Sequence, residues 1–303
     1  MSRPSAPSAP SPARPSTVGR AARTALRLLG LAGGFGVLSA YRFRVRHEAR
    51  ALPGLQRPVR VAFLADMHYG NFIGARSVRA WVRATVRAQP DLILFGGDFL
   101  DTSFTFRSRG ALLRELQHLR APLGVYAVFG NHDWTSLTTH RARGSFAAEL
   151  EKLGIRVINN AGVRVREDLF VAGVDDWWFG NQDVAAALRE CGSCTTLLLS
   201  HNPDFLPFVP DGVALTLSGH THGGQVDIPF MGPVKQASLY GTEFLAGWVS
   251  AAAAQPNAAD ESVAATPPRV NHGFVTNGLG VTGVPVRLNC PAEVVLFEFT
   301  PAP

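Results

Sequence analysis

The sequence predicts an α/β fold in which a parallel-rich sheet is covered by helices. Three observations carry that expectation. Short apolar runs alternate with amphipathic helical stretches in the first half of the chain, the second half is crowded with short β runs, and ligand-type polar residues recur where apolar runs stop. Strands that alternate with helices imply parallel pairing, with the helices outside.

Residues 1–17, MSRPSAPSAPSPARPST, are a Pro/Ser/Ala-rich tail without the apolar content of a core. Residues 18–51 form a basic and apolar segment. Its uninterrupted apolar part, Leu28 to Tyr41, is 14 residues long, short of the ~20 that a spanning helix needs. Arg20, Arg23 and Arg27 precede it, and Arg42, Arg44 and Arg46 follow. Two readings stand: a membrane-surface anchor whose arginines reach the head groups, or an export signal. The signal has a poor cleavage site, because Leu38 sits where a small residue is wanted before Ala40. The protein is therefore expected at a membrane or exported, and arginines on both sides leave its orientation open.

The folded domain is expected over 52–303, opening on the linker-like LPGLQRP. VRVAFLAD is a buried strand ending in an acid. RSVRAWVRATVRAQ (76–89) is a helix with Val78, Trp81, Val82, Thr85 and Val86 on one face and arginines opposite. PDLILFGGD is the second strand, SRGALLRELQHLR the second helix and LGVYAVFGNHD the third strand. Seven further β runs follow, at 156–158, 163–166, 169–174, 195–200, 213–217, 274–276 and 293–299. Residues 250–271 read as a low-complexity loop insertion.

Charge and cysteine content narrow the function. Residues 1–57 carry ten arginines against one acid, while 58–303 carry 19 basic and 22 acidic groups. The basic character thus belongs to the N-terminal segment. The mildly acidic body gives no reason to expect a specific nucleic-acid partner. Cys191 and Cys194 form a C-x-x-C without a second pair to complete a zinc site, and read as small residues near a helix end.

The strand ends carry the chemistry. Asp66 and His68 follow the first strand, Asp98 and Asp101 the second, and Asn131, His132 and Asp133 the third; His201 follows TTLLLS, and His220 and His222 follow VALTLSG. His47, His118, His140 and His272 lie elsewhere and read as surface residues. Loops at the carboxyl ends of strands converge on one crevice. So many polar groups in one place need a cation to offset their desolvation. Carboxylate, imidazole and amide oxygen together suit manganese, with iron or zinc as alternatives, and the donors are too many for one tetrahedral ion. Two divalent ions are expected. His220 and His222 alternate with Thr221, so in extended backbone both rings point the same way, and Gly219, Gly223 and Gly224 permit a sharp turn.

In order, DMH, GGDFLD, GNHD, SHNPD and GHTHGGQ resemble the signature of the calcineurin-like metallophosphoesterases, and the likeness runs from about Val59 to Phe299. The ending NGLGVTGVPVRLNCPAEVVLFEF resembles a bacterial branch of small, membrane-associated or exported phosphoesterases. The resemblance implies a four-layer α/β/β/α sandwich. It implies one metal held by Asp66, His68 and His222, a second by Asn131, His201 and His220, and Asp98 bridging both. It also implies in-line attack on phosphorus by a metal-bridging hydroxide, with His132 protonating the leaving oxygen and Asp101 orienting it. The expected substrate is a small-molecule or lipid-linked phosphodiester or pyrophosphate. A soluble-nucleotide phosphodiesterase or monoesterase is the alternative, and a non-catalytic scaffold is disfavoured by the intact motifs. Trp134, Trp177 and Trp178 are candidate substrate-wall residues.

Overall fold

Two six-stranded sheets stack through alternate residues of their strands. The structure is a computed structural model that describes residues 34, 36–102, 106–254 and 269–303. The first sheet has the order β1 (Phe43–Leu52), β14 (Ala292–Pro301), β2 (Val59–Leu64), β3 (Leu92–Phe95), β4 (Val125–Ala127) and β5 (Ile155–Val157). The second has the order β12 (Gly247–Ala252), β13 (Val270–Val275), β9 (Val213–Ser218), β8 (Thr195–Leu199), β7 (Leu169–Gly173) and β6 (Ala161–Arg166). Strands β2 to β5 pair in parallel, as do β7, β8, β9 and β13. A small hairpin, β10 (Asp227–Ile228) with β11 (Gly232–Pro233), stands apart.

The period of two sorts each strand between two cores. Val61, Phe63, Leu92 and Leu94 meet Leu197, Leu199, Leu215 and Leu217 between the sheets. Their neighbours Ala62, Leu64, Ile93 and Phe95 face outward, against α1 (Ala75–Arg87), α2 (Phe106–Leu116) and α4 (His140–Lys152). On the far side Phe170, Ala172 and Leu198 are covered by α5 (Val184–Leu188) and a 3-10 turn, Pro203–Phe208. The layers are therefore α/β/β/α, as the motifs imply. Of the helical face read from sequence, Val78, Trp81, Val82 and Thr85 are buried, while Val86 at the last turn stays 39% exposed.

Two expectations are corrected. Residues 43–51, assigned above to the anchor segment, belong to β1, which pairs in parallel with β14 along its whole length. Phe43 and Val45 pack toward the helix-side core. Arg44 donates to the buried Glu293 carboxylate at 2.8 Å and Arg46 lies 3.5 Å from it, so both arginines tie β1 to the sheet. The predicted 250–271 insertion begins and ends in strand, with Ala252 opposite Val270; residues 255–268 lie outside the described residues. The predicted tail and half of the predicted anchor segment, residues 18–33 and 35, also lie outside them. Among the described residues no helix is long and apolar enough to cross a membrane.

Asp168 ties the 52–58 linker to the β6–β7 turn. Its carboxylate accepts from the Gln56 amide at 2.7 Å and from Arg166 Nη2 at 3.0 Å. Burial works against its charge, yet these donors outweigh it and hold the group down at about 2. The sign follows: a carboxyl lowered below its unfolded value of ~3.9 stabilises the fold above that pH and loses the contribution as pH falls toward 2. Asp168→Asn is expected to cost about 1–3 kcal/mol in urea unfolding at pH 7, with the deficit shrinking between about pH 4 and pH 2. A deficit independent of pH would exclude the charge as its source.

Candidate metal centre

All five polar segments arrive at one rim. The loops after β2 and β3 are stitched together by Asp66 N–H to Gly97 O at 2.9 Å and His68 N–H to Asp98 O at 3.0 Å. After β4 the chain turns at Gly130 into α3 (Asn131–Ser136), and its His132 N–H donates to Asp98 Oδ1 at 2.8 Å. From the second sheet, Gly219 N–H donates to His201 O at 3.0 Å and His220 N–H to Asp66 Oδ1 at 2.9 Å. The glycines in the motifs exist for this crowding. A Cβ on Gly130 would sit 2.3 Å from Asp98 Oδ1, and one on Gly219 2.3 Å from Asp66 Oδ2.

The backbone is strained where the ligand-type residues stand. Asp66, His68, Asp98, His220 and His222 all have φ between 45° and 71°. Non-glycine residues rarely occupy that region, and it persists where the surroundings over-determine it, commonly at functional sites.

Asp98 is central. Its Oδ2 is 3.4 Å from His68 Nε2 and 3.2 Å from His201 Nε2. On one side His68 Nε2 and His222 Nε2 are 2.9 Å apart, with Asp66 Oδ1 3.8 Å from the latter. On the other, Asn131 Oδ1 is 3.0 Å from His201 Nε2 and 2.9 Å from His220 Nδ1. Among the described residues donor atoms of Asp66, His68 and His222 form one compact group, those of Asp66, Asp98 and His201 another, and those of His68, Asp98 and His132 a third at the rim.

Metal ions fit this arrangement. Asp66 Oδ2 and His68 Nδ1 are buried without a hydrogen-bond partner, a costly state unless something else satisfies the cluster. His201 Nδ1 donates to Gly96 O at 2.7 Å and His220 Nε2 to Ala237 O at 3.1 Å. Each ring is thus oriented by a backbone carbonyl, leaving the opposite nitrogen aimed into the cluster, as metal-binding histidines usually are.

Electrostatics agree. Burial disfavours the His201 cation, but Asp98, Asp66 and Asp176 outweigh it and push the ring up to about 10. Burial first, and His201 second, bring His220 down to about 3. Burial also opposes the Asp98 charge, yet His201 and His68 hold that carboxyl well below the usual range.

His132 lies at the edge of the cluster, 21% exposed at its side chain, with Nδ1 3.6 Å from Asp101 Oδ1. That same Asp101 oxygen is 3.8 Å from His68 Nδ1, so the carboxylate faces two imidazoles rather than one. Burial lowers the affinity of His132 for a proton, but Asp101 and Asp98 raise it further.

Of the three tryptophans only Trp178 faces the centre: it is 49% exposed and meets the His220 ring edge-on at 4.4 Å. Trp134 donates to Asp175 and lies under the Arg143 guanidinium, and Trp177 packs on Phe205 and Phe208. Both are packing residues. Three other residues complete the site: Asp133, placed at a strand end by the sequence but given no role there, and Asp176 and Arg287, which the sequence does not announce. Asp133 is buried, accepts from the Leu100 and Gly130 amides, and is pushed up to about 7 by burial and Asp98. Asp176 accepts from the Trp178 and Phe179 amides. Arg287, fully buried, donates to the Asn277, Gly280 and Cys290 carbonyls and places Nη2 3.2 Å from His222 Nδ1.

The sequence profile of the calcineurin-like phosphoesterases matches residues 59–224. Phosphodiesterase YaeI of Escherichia coli (strain K12) is 30% identical over 260 residues, spanning 84% of this chain and 87% of that one. An uncharacterized metallophosphoesterase of Bacillus subtilis (strain 168), YkuE, is 28% identical over 244 residues, 78% of each chain. A Bos taurus transmembrane protein with metallophosphoesterase domain is 28% identical over 83% of this chain, which spans 55% of that longer protein. A profile matched over more than half its residues, and a relative of this identity along most of its length, place the chain in the calcineurin-like phosphoesterase family.

Proposed function

We propose that the protein is a dinuclear-metal hydrolase of phosphodiester or pyrophosphate bonds, acting at a membrane on a lipid-linked or envelope substrate and belonging to a membrane-associated bacterial branch of its family. The position of Asp98 Oδ2 between the His68 and His201 rings carries the dinuclear reading. Asp66, His68 and His222 would hold one ion, Asn131, His201 and His220 the other, and Asp98 both. Manganese suits the mixed nitrogen and oxygen donors, with iron or zinc as alternatives. When bound, such ions supply Lewis acidity toward phosphoryl oxygens and lower the pKa of water. His132 holds a proton at the rim for the departing oxygen, and Asp101 favours its charged form. Trp178 offers a stacking wall beside His220. The diester preference is favoured by the name of the E. coli relative.

The test is to strip the full-length protein with chelator and reload it with manganese, iron, zinc or magnesium separately. Each sample is assayed on a chromogenic phosphodiester and on its monoester. Diester turnover that returns with metal at two ions per chain is expected; no bound metal would sink the proposal.

Loading should also release protons. Both His201 ring nitrogens face oxygen acceptors, so the metal-free ring carries two protons at neutral pH. Nε2 must lose its proton to bind an ion. Titrating metal into weakly buffered protein near pH 7 is expected to release about one proton per chain from this ring, so apparent affinity rises with pH. No release would exclude His201 as a ligand.

A further inference from the structure

Five large hydrophobic side chains exceed 60% exposure among the described residues: Leu38 (61%), Phe230 (109%), Met231 (80%), Val234 (66%) and Leu239 (78%). Scattered exposed hydrophobics are ordinary on a protein surface, but clustering is not. Four of these five fall within residues 230–239, directly after the GHTHGGQ turn that carries His220 and His222.

The segment is built to project. Phe230 and Met231 form the tip of the β10–β11 hairpin, and Phe230 has φ 67°, a strained conformation for a bulky residue. Its base is fixed: Asp227 N–H donates to Leu288 O at 2.9 Å, and Asn289 Nδ2 to Asp227 O at the same distance. The entering chain rests on the same support. Residues 36–40 are helical, and Gly36 O accepts from Arg287 N–H at 3.0 Å. Residues 287–289 therefore hold the projecting hairpin and the start of the described chain side by side. Exposed Val284 lies just before them.

Charge selects the occupant. Between Ile228 and Thr242 the one charged residue is Lys235, and Arg42 is exposed where the chain enters. The residues preceding position 34 are apolar and arginine-bearing in sequence. An apolar tip with Lys235 beside it and Arg42 near its base suits an anionic bilayer surface, into which interfacial elements insert by about 5–10 Å.

We infer that the face formed by the β10–β11 hairpin and the loop through Leu239 docks onto an anionic lipid bilayer and turns the metal centre toward the head groups. This would give the proposed hydrolase access to phosphates at the membrane surface, and docking itself does not depend on turnover. The Ala237 carbonyl in that loop orients His220, so membrane contact and the site share one segment.

The test compares full-length wild type with Phe230→Asp/Met231→Asp in co-sedimentation with phosphatidylcholine vesicles, with and without phosphatidylglycerol. Wild type is expected to partition onto the anionic vesicles and the double variant about tenfold less or weaker, with equal hydrolysis of the soluble diester. Equal partition by both proteins would overturn the inference. Because the upstream segment can itself bind lipid, a second readout is placed on the tip: Met231→Cys labelled with an environment-sensitive dye, in a Cys191→Ser/Cys194→Ser background. A blue shift with protection from an aqueous quencher on anionic vesicles supports docking; a dye that stays exposed while the protein sediments overturns it. Self-association abolished by the double variant, without vesicle binding, would instead assign the face to a second copy of this chain. A wild type inactive on the diester would sink the hydrolase reading and leave the vesicle result standing.

Discussion

Asp98→Asn is expected to abolish diester hydrolysis, by roughly three orders of magnitude or more, and to reduce bound metal below two ions per chain. Its Oδ2 stands between His68 Nε2 and His201 Nε2, one ring from each proposed ion. The amide keeps an acceptor for the His132 N–H, so the loop after β4 retains its anchor. What it loses is the negative charge, and with its oxygen kept by the His132 N–H it turns an NH2 rather than an oxygen toward His68 and His201. His201 also loses its nearest carboxylate. Its proton would then be held less tightly, because burial works against it. Metal analysis and kinetics on the same preparation check the result. Normal metal content with normal activity would refute the central place given to Asp98.

The second large effect is expected from His132→Ala: a fall in kcat of about 10²–10⁴-fold, with metal content unchanged. This ring touches Asp101 and the edge of His68, and its donor atom lies close to those of His68 and Asp98, but its side chain is 21% exposed at the rim of the cluster. Its loss leaves the residues assigned to the two ions in place and removes a proton donor. The size should depend on the leaving group, since a nitrophenolate departs readily without a proton and an alkoxide does not. A proton donor must be charged, and Asp101 and Asp98 favour that form. Wild-type activity should accordingly fall as pH rises through the ring's titration, and that alkaline limb should vanish in the variant. An equal deficit for good and poor leaving groups would assign His132 a structural role instead.

Much of this was legible in the residues, for identifiable reasons. Strands β2, β3, β8 and β9 are buried on both faces, so their apolar runs stand out and the polar residues ending them are conspicuous. Convergence on one rim then follows from parallel pairing within each sheet together with the stacking of the two sheets. Strand β1 was missed because its alternation, Phe43, Val45, Ala49 and Ala51 between charged residues, sits beside a longer apolar run that claimed the segment. Helix α4 is amphipathic but short of strong aliphatic residues, with Phe146 and Leu150 alone buried. The ring-orienting carbonyls of Gly96 and Ala237 could not be read, since a carbonyl has no residue type. Arg287 was hidden for a different reason: its partners are carbonyls of the loop it fills, so no charge in the sequence announces it.

The parallel seam between β1 and β14 decides how the domain bears a load. A pull on the chain upstream of Phe43 runs along the strand axis, with all ten residues of β1 in register beside their partners. The hydrogen bonds of that ladder are then strained together in shear, rather than opened one at a time as in a peeled hairpin. The Arg44 and Arg46 grip on Glu293 lies at the end where the force enters. A pull from upstream first meets the bond between Gly36 O and Arg287 N–H, whose guanidinium lies beside His222, so tension touches the metal centre before the ladder itself is loaded.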